Sequence, residues 1–324
     1  MKKYMLALGL SLLTVLGLFT GCSPKAETAS GSGSLKIVAT IFPEYDWVRQ
    51  VLGDRAGEVE LTLLLDSGTD LHSYQPTAAD MLTIGECDLF LYNGGESDAW
   101  VERVLATAAN PDRRTLSVME VLGDSVLEEE VVEGMQEAED HDHAEGEAHE
   151  EEADEHVWLS LRNARTACAE IARVLGELDP DHAAEYQTNA ENYMAQLEAL
   201  DGEYTALAEN AARRTVLVGD RFPFRYLMDD YGLEYYAAFS GCSAETEASF
   251  ETIAFLSGKT EELALPCILT TESPQPGVAE TIRSNTASGD QTILQLDSMQ
   301  SAGTGDNYLD IMKENLEVLR QALA

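Results

Sequence analysis

The stretch DPDHAAEYQTNAENYMAQLEALDGEYTALAENAAR, Asp179 to Arg213, decides how this chain is read. Tyr186, Ala190, Tyr193, Leu197, Leu200, Tyr204 and Leu207 recur at steps of three and four, which marks one apolar stripe on one helix. Asp179 is placed as its cap, Pro180 suits its first turn, and His182 reads as a solvated surface residue. At 1.5 Å per residue, about thirty residues reach roughly 45 Å, long enough to lie along two lobes. The mixture of Tyr and Ala fits packing on a globular surface better than a coiled-coil arm.

Both flanks of this helix are α/β in pattern. On the N-terminal side, SLKIVATIF (34–42), VELTLLL (59–65) and CDLFLYN (87–93) read as strands, with helices at 43–53, 77–84, 96–108 and 162–178. On the C-terminal side, TVLVG (215–219), LEYYAAF (233–239), CILTT (267–271) and TILQL (292–296) read as strands, alternating with helices at 222–232, 249–265, 276–287 and 308–323. Such alternation predicts parallel sheets covered on both faces. The expected fold is α/β, with two parallel-sheet lobes, residues 35–178 and 214–324, joined by the helix 179–213. Open α/β sheets bind ligands beyond the C-terminal ends of their strands, so the cleft between the lobes is the expected site.

The chain opens MKKYMLALGLSLLTVLGLFTGCS. Lys2 and Lys3 followed by an apolar run read as an export signal over 1–21. The small residues before Cys22 resemble a bacterial lipobox, with Phe19 departing from its usual aliphatic position. Cys22 is therefore the expected lipid anchor, residues 22–34 a flexible tether, and the location extracytoplasmic at the cell membrane. The 324 residues carry 20 Lys and Arg against 59 Asp and Glu, a formal net charge of −39. That balance repels nucleic acid and attracts cations. Four cysteines follow the signal, none in a CxxC pair, so a thiolate zinc site is not expected. Of their three pairings, Cys242 with Cys267 is favoured, since each adjoins a strand of the same lobe; buried free thiols are the alternative.

The polar residues at the strand ends are the candidate donors. His72 follows the second strand, His156 leads into VWLSL, Asp220 and Arg221 end TVLVG, Glu272 ends CILTT, and Asp297 ends TILQL. Two imidazoles with several carboxylates suit a small divalent cation such as Zn2+ or Mn2+. No Gly-rich strand-to-helix turn with a Lys is present for a nucleotide. The GCS at 241–243 is not a nucleophile elbow, so no enzyme is expected.

These residues carry a resemblance. SGTDLHSYQPTAADM, CDLFLYNGGESDAWVERVL and DEHVWLSLRNA resemble motifs of the metal-binding lipoproteins of zinc and manganese ABC importers, the cluster with a rigid interlobe helix. Leu71 and Leu161 stand where those motifs usually have Pro. The resemblance implies His72 and His156 as the first two metal ligands. LQLDSMQSAGTGDNYLDIMKENLEVLRQAL is similar to the manganese-type branch, which implies Asp297 as a ligand. Counting back from Phe224 and Tyr226, the family's third ligand falls on Arg221, which stays protonated and does not bind metal. Asp220 is the expected substitute, with Glu245, Glu247 and Glu272 in reserve and Arg221 holding surplus carboxylates.

The resemblance further implies a receptor that captures Zn2+ and delivers it to an ABC permease, as a monomer, since no dimer motif is seen. A manganese-specific receptor is the alternative within the family; a metal-dependent hydrolase and a surface adhesin are the alternatives outside it. The tract from 124 to 155 contains no Lys or Arg and is expected to be loosely ordered. His141, His143 and His149 within it read as an auxiliary zinc collector, or else as incidental members of a solvated spacer.

Overall fold

In the computed structural model the described residues are 34–66, 68–106, 109–136, 152–243, 247–272 and 277–324. The signal segment, Cys22, Glu245, His141, His143 and His149 lie outside them. Residues 35–324 form one compact unit.

The first sheet is built from β1 (Lys36–Ala39), β2 (Glu60–Leu63), β3 (Leu89–Tyr92) and β4 (Arg114–Ser117), all parallel, in the order β2-β1-β3-β4. The second contains β5 (Thr215–Phe222), β6 (Glu234–Ser240), β7 (Cys267–Thr270) and β8 (Thr292–Gln295), also parallel, in the order β6-β5-β7-β8. The two sheets thus share one strand order. Central strands are buried without alternation: Ile37, Val38 and Ala39 in β1 and Leu89, Phe90 and Leu91 in β3 are all enclosed. That is the pattern of a sheet covered on both faces. The covering helices of the first lobe are α1 (Phe42–Leu52), α2 (Ala78–Glu86), α3 (Val101–Leu105), α4 (Val118–Leu122) and α5 (Leu161–Leu178). Those of the second are α7 (Arg225–Tyr231), α8 (Phe250–Glu262), α9 (Gly277–Asn285) and α10 (Tyr308–Ala322).

The connecting helix α6 runs from Ala183 to Asn210. It buries Tyr186, Ala190, Tyr193, Leu197, Leu200 and Tyr204 as the periodicity predicts. At the seventh position Ala208 is buried in place of Leu207, one residue's drift of the stripe. Its start also differs. Residues 180–182 form a separate 3₁₀ turn, and the Asp179 side chain makes no cap. The Asp179 carboxylate instead accepts from the Tyr186 hydroxyl at 2.7 Å and the His182 ring at 2.8 Å, so His182 is partnered rather than merely solvated. One hydrophobic cluster runs from α1 and α5 through α6 to α10, so the lobes share a core.

Two sequence expectations change. β4 is an additional edge strand; only Leu116 and Ser117 of its four residues are buried, too short a run to signal itself. The acidic tract is ordered at both ends. Val126, Leu127 and Val132 pack against the core, Met135 is buried, and the Gln136 N–H donates to Ala238 O at 2.9 Å beside β6. Glu128 and Ala153 then pair antiparallel, which brings the two ends of the tract together. Scattered apolar residues thus supply contacts that acidity hid. Among the described residues no helix is long and apolar enough to cross a membrane.

Tyr308, the first residue of α10, fastens the second lobe to the segment that carries His156. Its ring meets Trp47 edge-on at 5.4 Å between centroids. Its hydroxyl donates to Trp158 O at 2.6 Å, and its N–H donates to the buried Asp46 carboxylate at 3.0 Å. Tyr308→Phe leaves the Trp158 carbonyl without this donor in a dry site. It should lower unfolding free energy by about 1–3 kcal/mol, read from the midpoint of urea denaturation.

Candidate metal centre

His72 is set by a short turn beyond β2. Asp70 is extended and caps the 3₁₀ turn Leu71–Ser73, its Oδ1 accepting from the His72 N–H at 3.0 Å. Buried Leu71 anchors that turn. Beyond β3 the chain passes Gly94 and Gly95 at φ 99° and 81°, conformations that favour glycine. A Cβ on Gly95 would stand 2.3 Å from Glu155 Oε1, so the glycine also makes room for that carboxylate. The turn delivers Ser97, whose Oγ lies 3.0 Å from His72 Nδ1.

His156 is fully buried and held on every side. The Asp154 Oδ1 accepts from its backbone N–H at 2.8 Å and lies 3.0 Å from its Nδ1. Asn93 Nδ2 donates to Glu155 O at 2.7 Å, and the Tyr226 hydroxyl donates to Asp154 O at 2.7 Å. Trp158 Nε1 donates to Ser298 O at 2.9 Å. Gly241 closes the remaining side: a Cβ there would lie 2.8 Å from His156 Cε1 and 2.9 Å from Phe222 O.

The two imidazoles meet with Nε2 atoms 3.2 Å apart. Their tautomers follow from their partners. A carboxylate accepts, so His156 carries its proton on Nδ1 toward Asp154. The Ser97 hydroxyl donates to Glu155, which leaves its oxygen free to accept from His72 Nδ1. Glu155 Oε2 itself lies 3.4 Å from the same nitrogen. Each Nδ1 can thus donate to an oxygen, which leaves the two Nε2 atoms facing each other 3.2 Å apart. Burial opposes ionisation of Glu155, but hydrogen bonds from His72 and Ser97 outweigh it and hold this carboxyl below its usual range. Two nitrogens sharing a tetrahedral zinc at about 2.0–2.1 Å would stand about 3.3–3.4 Å apart, close to the separation found. Carboxylates behind the far nitrogens are the outer partners that orient metal-bound histidine.

The other expected donors are engaged by neighbours of their own. Asp220 Oδ2 accepts from Thr270 Oγ1 at 2.9 Å and Thr271 Oγ1 at 2.7 Å, and its Oδ1 accepts from the Arg221 N–H at 2.9 Å. That carboxylate fastens β5 to β7. Asp297 Oδ1 accepts from Met299 N at 2.7 Å; burial, with Glu272 nearby, pushes its carboxyl up to about 6. Glu272 accepts from Ser298 N at 2.9 Å and from Gln300 N at 3.0 Å. Glu247 is exposed. Arg221 pairs with Asp70 across the cleft at 2.9 Å, the carboxylate-holding role expected of it. Among the described residues, the one group of three close metal-binding side chains is His72, His156 and Cys242, with one ligand atom of each within 4.8 Å of the others.

The expected Cys242–Cys267 disulfide is not formed; all four described cysteines are free. Cys242 lies just beyond the C-terminal end of β6, whereas Cys267 begins β7. In parallel strands those are opposite ends of the sheet. Cys242 was therefore missed as a neighbour of the histidines, although its place after a strand end was the signal that marked the other candidates.

The family described as zinc-uptake complex component A, periplasmic (ZnuA), matches residues 37–322. This chain belongs to that family. The zinc-binding lipoprotein AdcA of Streptococcus pneumoniae is 32% identical over 99% of the chain, which spans 61% of that relative's length. The high-affinity zinc uptake system protein ZnuA of Bacillus subtilis is 29% identical over 93% of this chain and 91% of its own. The structure of the Zn(II)-bound ZnuA-like domain of S. pneumoniae AdcA superposes with a TM-score of 0.70 at 28% identity, covering 90% of this chain and 99% of that one. The family's two-lobed parallel α/β architecture is thus the architecture of this chain.

One buried acid beside the site gives a pH test. Asp98 accepts from the Gly94 N–H at 2.9 Å, and burial, with Glu155 adding to it, pushes its carboxyl up to about 7. An unfolded Asp titrates near ~3.9, so between about pH 4 and 7 the native state binds more protons than the unfolded one. The contribution of Asp98 to stability is therefore present at low pH and lost as pH rises through about 7. Relative to Asp98→Asn, the native protein should lose on the order of a few kcal/mol between about pH 5 and pH 8 in denaturant titrations.

Proposed function

We propose that the chain is an extracytoplasmic receptor that captures Zn2+ and hands it to a membrane permease of the ABC class. One observation carries this reading: two Nε2 nitrogens stand 3.2 Å apart, each imidazole fixed by a carboxylate or hydroxyl on its far nitrogen. A cation between the rings satisfies both. Nitrogen donors favour zinc over manganese, and the Irving–Williams order acts the same way. The zinc-uptake description of the family and the zinc-binding names of its relatives support the choice.

Capture needs no bond-making chemistry on the cargo. The hydrated ion is drawn in by an acidic protein and exchanges water for imidazole. The carboxylates of Asp154 and Glu155, nearest the rings, are spent on orienting them, which disfavours a hydrolase that needs a free base aimed at metal-bound water. His72→Ala or His156→Ala should each weaken zinc binding by at least about a hundredfold while far-ultraviolet circular dichroism stays unchanged. Titration calorimetry showing native affinity in both variants would sink the receptor reading.

We assign the histidine-rich tract a secondary part. The Glu128–Ala153 pairing sets the C-terminal end of the tract about three residues from His156 in sequence, so ions held weakly by His141, His143 and His149 would be concentrated near the cleft. A chain lacking residues 138–150 should bind fewer zinc ions per molecule by equilibrium dialysis and keep one tight site. Loss of the tight site would place the principal ligands in the tract instead.

A further inference from the structure

We propose that Cys242 is the third donor to the ion between His72 and His156, making the site two nitrogens and one sulfur. This rests on the receptor reading and deepens it. The position where the family's third ligand falls is taken by Arg221, and its guanidinium is drawn off to Asp70 at 2.9 Å. Its neighbour Asp220 is held by Thr270, Thr271 and its own chain. The imidazole pair therefore needs a donor from another element, and the turn after β6 brings one. The thiol sulfur of Cys242 lies within 4.8 Å of a ligand nitrogen on each ring.

That turn is built against the site rather than hanging near it. Gly241 is packed on the His156 ring so closely that no Cβ fits. Ser243 N donates to Ser240 O at 3.3 Å to close the turn, and Glu129 Oε1 accepts from the Cys242 N–H at 3.3 Å. Glu129 belongs to the ordered start of the acidic tract, so the element that leads to the histidine-rich loop also holds the cysteine. The other three cysteines are enclosed, Cys87 and Cys168 at 0% and Cys267 at 5% exposure. Cys242 alone among the four described cysteines is half-buried, beside the histidine pair.

Sulfur at about 2.3 Å and nitrogen at about 2.0–2.1 Å on one tetrahedral ion stand about 3.5 Å apart. From within 4.8 Å the thiol then needs to approach by no more than about 1.3 Å, its proton leaving to solvent as the ion enters. A soft thiolate donor suits zinc and other borderline cations and penalises manganese, which prefers oxygen. The departure at Arg221 would thus sharpen the choice of metal instead of destroying the site.

The test uses the full chain, first loaded with cobalt(II). A thiolate-to-cobalt charge-transfer band in the near ultraviolet is expected, and it should vanish in Cys242→Ser. X-ray absorption at the zinc edge of the unaltered protein should contain one sulfur scatterer at about 2.3 Å, a readout that needs no variant to fold. Cys242→Ser should bind zinc at least about tenfold more weakly and discriminate less between zinc and manganese in competition. Absence of both the band and the sulfur scatterer, with native zinc affinity in Cys242→Ser and lost affinity in His72→Ala, overturns the sulfur assignment alone. Native zinc affinity in both His72→Ala and His156→Ala as well overturns the receptor reading on which it stands.

Discussion

Two imidazoles from segments far apart in the chain stand with their Nε2 atoms 3.2 Å apart, and only the structure around them can hold both rings at that point. Most of the local architecture serves that constraint. Asp154 fixes one ring twice, through its backbone and its Nδ1, and Ser97 with Glu155 fixes the other. Asn93, Tyr226 and the Trp158–Ser298 bond then hold the segment that carries the buried ring. In the proposed receptor this stiffness would favour binding, because rings already aimed lose little freedom when an ion arrives.

Much of this is legible in the amino-acid sequence. The period of α6, the alternation of strands and helices, and the two histidine motifs lead directly to a two-lobed α/β protein with His72 and His156 at one cleft. Arg221 is legible as a departure, and its ion pair with Asp70 has the expected chemistry. What stays hidden has specific causes. β4 is an edge strand with two buried residues. The ordered parts of the acidic tract are held by Val126, Leu127, Val132 and Met135, which composition averages away. Asp220 and Asp297 have the right type and the right place after strands, but sequence does not say which neighbours claim their oxygens. Cys242 is obscured because it has no CxxC partner. Donors brought together by a sheet need no fixed spacing, and only their shared position after strand ends connects them.

The charge distribution around the cleft has a consistent logic. Carboxylates that touch a cation or an imidazole, such as Asp70 and Glu155, stay ionised despite burial, held there by Arg221 and His72. Those without a cationic neighbour, Asp98 and Asp297, are pushed toward the neutral form. The protein thus keeps negative charge where it orients an imidazole or ties the lobes and suppresses it where it would only repel. An overall charge of −39 does not have to be spread evenly to attract a cation.

The core that passes unbroken from α1 and α5 through α6 into α10 has a mechanical consequence. A clamshell needs a seam of weak contacts along which its halves can swing, and here aromatic side chains such as Trp47 and Tyr308 interlock along that line. Swinging the halves apart would expose that shared interior to water. In the proposed receptor, loading and unloading would therefore fall to the turns that crown the strands, and a permease extracting the ion would have to pry at those turns and not at the body of the protein.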